Sequence, residues 1–338
     1  MIIGSGKRVR QAALPALQRS ERRFDVQALF ARTAKQLDVD GVEYEVAPLD
    51  ALDASLLAST DLLYVAVAKD AVPRVLAHVC AHDVSRVDVL IDTPVVRFKH
   101  FGHAARLASF RSAWVAEDCA YLPWLDTVRA AFASGAFGAL QRVTFHRSAY
   151  AYHGLATTKT LFDCPSVARG RRTRGPGGVV TRELDLGRGR RATIVEPRDY
   201  AAGHITLAGE RGSASDQPQA APGATAFETV VRDGVCRGFR IGDVETRLDD
   251  DEAELTRGDP EGASITARME AMKRVGFLRL LRAVDAGRGA YPLESGLDDM
   301  VVDYWFEKLG FWWKTPFSSP RSSLGRGLLR AASRFGGG

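Results

Sequence analysis

Short apolar runs alternate with stretches of helical period through the first 120 residues. Ile2-Ile3 forms a clipped strand, and a helix follows through Leu14, Ala16 and Leu17. Further strands are predicted at Asp25 to Phe30, Leu62 to Ala68, Val87 to Ile91 and Ala113 to Ala116. Leu62 to Ala68 is apolar without a break, as in a strand covered on both faces. Val72, Val75, Leu76 and Val79 fall at i, i+3, i+4 and i+7, which lays out one face of a helix. Leu125 to Phe132 reads as another helix, stopped at Ser134-Gly135. This alternation predicts a parallel sheet covered by helices.

The grammar changes after residue 140. Runs at Gln141 to Phe145, Gly178 to Leu184, Ala192 to Glu196, His204 to Ala208 and Ala226 to Val231 follow one another with few helices between. They predict a large, mainly antiparallel sheet, so this half is α+β. Arg169 to Gly178 reads as a basic, glycine-rich loop, and Gly212 to Thr225 as a second excursion. Helices return from Ile265 to Asp285 and from Leu293 to Trp312. In the second of these, Trp305, Leu309 and Trp312 form one stripe suited to core or dimer contact. The tail from about Ser318 is expected to be poorly ordered. The expected division is 1–118 and 119–338.

Composition narrows the function classes. Basic residues exceed acidic ones by 46 − 41 = 5, with 38 Arg against only 8 Lys, and no clustered basic face with aromatic partners stands out. That argues against a nucleic-acid partner. Cys80, Cys119, Cys164 and Cys236 are scattered, without the spacing of a zinc site. They read as small hydrophobes in a reducing compartment, so a cytoplasmic location is expected. No segment approaches the roughly 18 apolar residues of a membrane span. With Met1-Ile2-Ile3-Gly4 going straight into a glycine turn, no signal peptide is expected.

Chemistry enters at Gly4-Ser5-Gly6-Lys7-Arg8-Val9, which stands after a strand and before a helix. There the first glycine allows a tight turn and the second lets a pyrophosphate approach the backbone. Val9 holds the place of a third glycine. The second strand ends in Phe30-Ala31-Arg32-Thr33-Ala34-Lys35, with no acid to hold ribose hydroxyls. Arg32 can fork two hydrogen bonds to a 2′-phosphate and Thr33 can donate a third, so NADP is expected before NAD.

With these segments in order, the chain resembles the Gfo/Idh/MocA oxidoreductases, the glucose–fructose oxidoreductase-like and inositol dehydrogenase-like enzymes. The likeness rests on Ile2-Ile3-Gly4-Ser5-Gly6, Leu14-Pro15-Ala16-Leu17, the strand Asp61 to Val67, the run Ala133 to Val143 and the closing helix Phe277 to Arg288. It implies an N-terminal Rossmann domain binding NAD(P) and a C-terminal α/β domain with a large open sheet, often dimeric. Sugar-like, polyol or related hydroxy substrates are implied too. Carried onto this chain, the cofactor would meet Gly4, Ser5, Gly6, Lys7, Arg8, Arg32, Thr33, Ala66, Val67, Asp92 and Pro94.

The catalytic landmarks diverge. Where the family carries Glu-Lys-Pro, this chain has Asp92-Thr93-Pro94. A threonine hydroxyl can hydrogen-bond a substrate but offers no charge to a developing alkoxide. The family's Asp-x-Gly-x-His-x-x-Asp is matched by Ala149 to Ala156, where only His153 survives. An imidazole is a natural proton shuttle near neutrality, so His153 is the candidate acid/base, flanked by Tyr150 and Tyr152. Glu117-Asp118 follow the sixth strand at its carboxyl end, and Asp118 is the preferred helper. Lys159 reads as solvent-facing. The expected activity is an NADP(H)-dependent oxidoreductase using His153, Thr93 and Asp118. The rival is a nucleotide-binding, catalytically silent relative acting as a sensor or partner subunit.

Overall fold

A computed structural model describes the chain outside residues 21–23, 259–263 and 316–338. The expected disordered tail therefore lies outside the described residues. The chain divides into two compact units. One comprises Met1–Asp118 and Phe277–Met300; the other comprises Cys119–Gly276 and the chain from Val301 on. Residues 277–300 thus belong with the first unit rather than with the rest of 119–338.

The first unit is built on β1 (Ile2–Ile3), β2 (Leu29–Ala31), β3 (Lys35–Val39), β4 (Val42–Pro48), β5 (Leu62–Val65), β6 (Asp88–Asp92), β7 (Ser112–Ala116) and the late β17 (Tyr291–Pro292). The sheet runs β17-β7-β6-β5-β1-β2-β4-β3. All neighbours are parallel except β3 on β4 and β17 on β7. Val89, Leu90 and Ile91 are fully covered, because strands in such a sheet carry helices on both faces. α3 (Val72–Val79) buries the four residues of its apolar stripe, as its spacing predicts. α2 (Ala54–Ala58) is capped by Asp53, whose carboxylate accepts from the Leu56 amide at 2.9 Å.

Two features of this unit depart from expectation. The helical segment after the glycine turn opens as a π-helix, Val9–Ala13, before continuing as α1 (Leu14–Gln18). Pro15 has no N–H to close the ladder one turn back, which loosens that turn. The second strand starts later than Asp25, at Leu29, and the chain then enters the hairpin β3–β4. Asp40 and Gly41 turn it with φ of 53° and 79°, the left-handed pair that suits a two-residue hairpin.

The second unit carries β8 (Leu140–His146), β9 (Arg169–Arg174), β10 (Val180–Gly187), β11 (Arg190–Glu196), β12 (His204–Gly209), β13 (Ser213–Ser215), β14 (Thr225–Arg232), β15 (Val235–Ile241), β16 (Val244–Arg247) and β18 (Phe311–Trp313). They lie in the order β16-β15-β14-β13-β12-β8-β11-β10-β9-β18, antiparallel except for β8 with β11 and β13 with β14. One face is apolar: Val143, Phe145, Ala192, Ile194, Ile205 and Leu207 are buried at alternate positions. α4 (Trp124–Ala133) and α5 (Ala151–Leu161) cover it, with Trp124 edge-on to Phe227 and Gly154 tight against Ile194. The short α6 (Asp250–Glu254), α7 (Met269–Asp285) and α8 (Leu293–Leu309) complete the helices, the last two running across the division of the chain.

Two sequence expectations are corrected here. Arg169 to Arg174 is a strand, not a loop, because its arginines pair along the sheet with Asp185 and Glu183. The second late helix ends at Leu309, and Trp312 lies on β18, donating its indole N–H to Val167 O at 2.9 Å. The stripe of Trp305, Leu309 and Trp312 is therefore broken. All four cysteines are free, three of them buried and Cys80 partly exposed. No helix among the described residues is long and apolar enough to cross a membrane.

Arg182 on β10 is 5% exposed and joins Glu196, Asp303 and Glu307, while Arg172 also meets Glu307 at 3.3 Å. Burial, the largest influence, raises the Glu196 and Asp303 carboxyls above their ordinary range against the pull of Arg182. Carboxyls raised in the fold support it at acid pH and weigh against it as pH rises through their folded values. Arg182→Met removes the cation that offsets this near neutrality. The expected loss is on the order of 3 kcal/mol, since the acids stay partly hydrated. Urea melts should show a smaller defect at about pH 5 than at about pH 8; an equal loss at both would show that the acids find other partners.

Candidate functional site

β1 is flanked by β2 on one side and β5 on the other, so the chain leaves the sheet in opposite directions from this point. In open α/β sheets, that reversal opens a crevice at the carboxyl ends of the strands. The Gly4 amide donates to Phe30 O at 2.7 Å, and the Ala66 amide donates to Ile3 O at 2.8 Å. Gly4 has φ +134°, and a Cβ there would stand 2.1 Å from Ala66 O. Its glycine is demanded by the approach of β1 to β5. At Gly6 an added Cβ meets nothing within 4 Å, which leaves this backbone open to a ligand. Ser5 is half-buried, Lys7 exposed, and Val9 fully buried against the sheet.

Arg32 and Thr33 stand exposed in the turn between β2 and β3, with Lys35 exposed beside them. No carboxylate belongs to this turn. Ala66 is buried and Val67 half-buried at the end of β5. Asp92, Thr93 and Pro94 are half-buried at the end of β6, joined by a cis Thr93-Pro94 bond. Glu117 and Asp118 are buried beyond β7.

Arg8 is engaged by groups at the ends of β6 and β7. Its Nε donates to Asp92 Oδ1 at 3.1 Å, Nη1 to Asp118 Oδ2 at 2.6 Å and Nη2 to Ala116 O at 3.2 Å. The guanidinium also lies 5.4 Å over the Phe277 ring. Burial opposes its charge, but Asp118 and Asp92 outweigh that and hold it raised well above the ordinary arginine value. Arg8 thus ties the ends of β6 and β7 to the first helical turn, and Asp118 is engaged as its counter-ion. Arg8, expected as a cofactor contact, and Asp118, expected as a catalytic helper, are brought together as partners of each other.

Two residues escaped the sequence reading. The Tyr64 hydroxyl donates to Asp92 Oδ1 at 3.3 Å, and burial raises it well above the ordinary phenol value. Lys69 Nζ donates to Asp92 O at 2.8 Å. Its signal was position: it stands just past the carboxyl end of a parallel strand, where ligands gather.

In the second unit His153 is buried in the first turn of α5. Its ring centroid is 4.2 Å from that of Tyr152 and 6.2 Å from that of Tyr150, so the flanking tyrosines do gather on it. Tyr150 in turn lies 4.0 Å beneath the Arg198 guanidinium, which also sits over Tyr200 at 4.6 Å. Burial raises the Tyr200 phenol, while Lys273, over its ring at 5.2 Å, works against that. Lys159 is 3% exposed rather than solvent-facing, because α5 is covered on nearly every side.

No family model and no curated protein matches the sequence. Solved structures do match the fold. An oxidoreductase candidate of Bacillus subtilis, yvaA, is similar with a TM-score of 0.58 at 11% identity, over 93% of this chain and 98% of that one. A candidate myo-inositol dehydrogenase of Sinorhizobium meliloti gives 0.55 at 14% identity, over 88% and 92%. An oxidoreductase of Agrobacterium radiobacter, solved with NAD+, L-tartaric acid and magnesium, gives 0.51 at 15% identity, over 88% and 91%. A parallel-rich Rossmann sheet followed by a mostly antiparallel one, shared with these structures over nearly their whole length, gives this chain the Gfo/Idh/MocA fold.

Proposed function

We propose that this chain is an NADP(H)-dependent oxidoreductase acting on a sugar-like or cyclic hydroxy or keto compound. The observation that carries it is the open backbone of Gly6 at the point where the sheet reverses, with the acid-free turn Arg32-Thr33 at the end of the next strand. Gly4, Ser5, Gly6 and Lys7 would hold the pyrophosphate, Arg32 and Thr33 the 2′-phosphate, and Ala66, Val67, Asp92 and Pro94 would line the rest. The nicotinamide, when bound, supplies the hydride chemistry. The chain positions it, Thr93 hydrogen-bonds the substrate, and His153 carries the proton. Relatives of the fold named for myo-inositol or solved with L-tartaric acid support a hydroxylated substrate. Exposed Phe311 and Trp313 on the edge strand of the second sheet support a homodimer, and the four free cysteines support a cytoplasmic setting. Thr93 at a position where a charge would help favours a second reading, a silent nucleotide-binding relative.

Fluorescence titration tests the cofactor. NADPH is expected to bind about tenfold tighter than NADH, since one charge-assisted contact at an exposed site contributes about 1.5 kcal/mol. Arg32→Ala should erase most of that preference, and added salt should weaken it. Equal affinities in the unaltered protein would remove NADP from the proposal, and no binding of either would remove the function.

A further inference from the structure

Lys69 enters the end of β6 from the end of β5. The carbonyl that accepts its Nζ–H belongs to the peptide joining Asp92 to Thr93, so the ammonium lies at the residue that lacks a charge. It is not held there chiefly as a counter-ion. Asp92 Oδ1 already accepts from Arg8 and Tyr64, and Lys69 Nζ stands 3.8 Å from Asp92 Oδ2. An ammonium has three N–H groups, and Lys69 makes its one hydrogen bond among the described residues to Asp92 O. Its side chain is 16% exposed, enough to meet a ligand while largely shielded from water. In such a setting a fixed charge acts on a developing oxyanion far more strongly than in solvent. The charged groups around it are Asp92 and Arg8, and Asp70 next in sequence is taken up by Arg97, Lys99 and His100. Burial lowers Lys69 below the ordinary lysine value, Asp92 opposes this, and Arg8 adds to it.

Resting on the dinucleotide reading above, we propose that Lys69 is the cation that holds the reacting hydroxyl or keto oxygen of the substrate, the part Thr93 has no charge to play. Lys69 then belongs beside the nicotinamide end of the bound cofactor. Its Nζ–H groups hydrogen-bond the oxygen as negative charge grows on it, and no proton need leave the lysine.

Competitive acetylation of the full chain with trace acetic anhydride, read by mass spectrometry at each lysine, tests this without a known substrate. Only the neutral amine reacts, so Lys69 should gain reactivity at lower pH than a free lysine side chain included as internal standard. NADP+ at about ten times its Kd should protect Lys69 about tenfold, as occupancy requires. 2′,5′-ADP, which carries the phosphates without nicotinamide, should leave Lys69 labelled while competing for the cofactor site. If NADP+ binds but Lys69 stays fully reactive, or 2′,5′-ADP protects it equally, Lys69 is not at the reacting end and the assignment falls alone. If no dinucleotide binds, the proposed function falls and takes the assignment with it.

Discussion

Arg8→Met is expected to destabilise the protein by about 3–5 kcal/mol, the usual loss when one partner of a buried ion pair is removed. The size follows from what is left behind. The Asp118 side chain is fully covered and that of Asp92 is 13% exposed, so neither carboxylate regains much water. Both carboxylates lose the guanidinium, while Asp92 keeps Lys69 and the Tyr64 hydroxyl. A double variant, Arg8→Met with Asp118→Asn, should therefore be more stable than Arg8→Met alone. Denaturant melts of the two single variants and the double give the coupling energy, expected within about 0.5–3 kcal/mol. A coupling near zero would mean that Arg8 acts by packing on Phe277 rather than by charge.

His153→Asn is expected to lower turnover by about two to four orders of magnitude once a substrate is in hand, with dinucleotide affinity unchanged. That is about 3–5 kcal/mol of barrier, comparable with the Arg8 effect but read in rate rather than in folding. Asparagine keeps a polar side chain and removes the exchangeable imidazole proton. The buried ring contacts Tyr152, so the variant should first be compared with wild type by thermal melting. Full activity would discard the proton-carrying role. A dead and unfolded variant would assign His153 to packing.

The strands that carry the crevice were legible because parallel strands buried on both faces write unbroken apolar runs, as at Leu63 to Val65 and Val89 to Ile91. α3 was legible for the complementary reason, one stripe facing one sheet. The hairpin β3–β4 was readable but passed over: Lys35 to Val39 and Val42 to Val46 flank Asp40-Gly41, a strong local turn signal. β9 hid because a strand whose arginines pair with acids on its neighbour has no apolar signature. Trp312 was misplaced on a helix because its period continued past Gly310, where φ of +75° ends the helix. At the site, residue types at strand ends were foreseeable. Their pairing was not, since the Arg8 contact with Asp118 spans 110 positions and only the folded sheet closes that distance.

The glycine turn carries a lesson about what such motifs record. Its two glycines answer to different masters. Gly4 is held to its residue type by the oxygen of Ala66, a neighbour within the same fold, and would be retained in a descendant that had abandoned every ligand. At Gly6 an added side chain would meet nothing of the fold, so its bareness is no demand of the sheet and is accounted for by the dinucleotide proposed above. The pair is thus one requirement of the fold and one opening that the fold does not require. A side chain at the first would push β1 away from β5, whereas one at the second would leave the architecture intact and bear only on the proposed occupant.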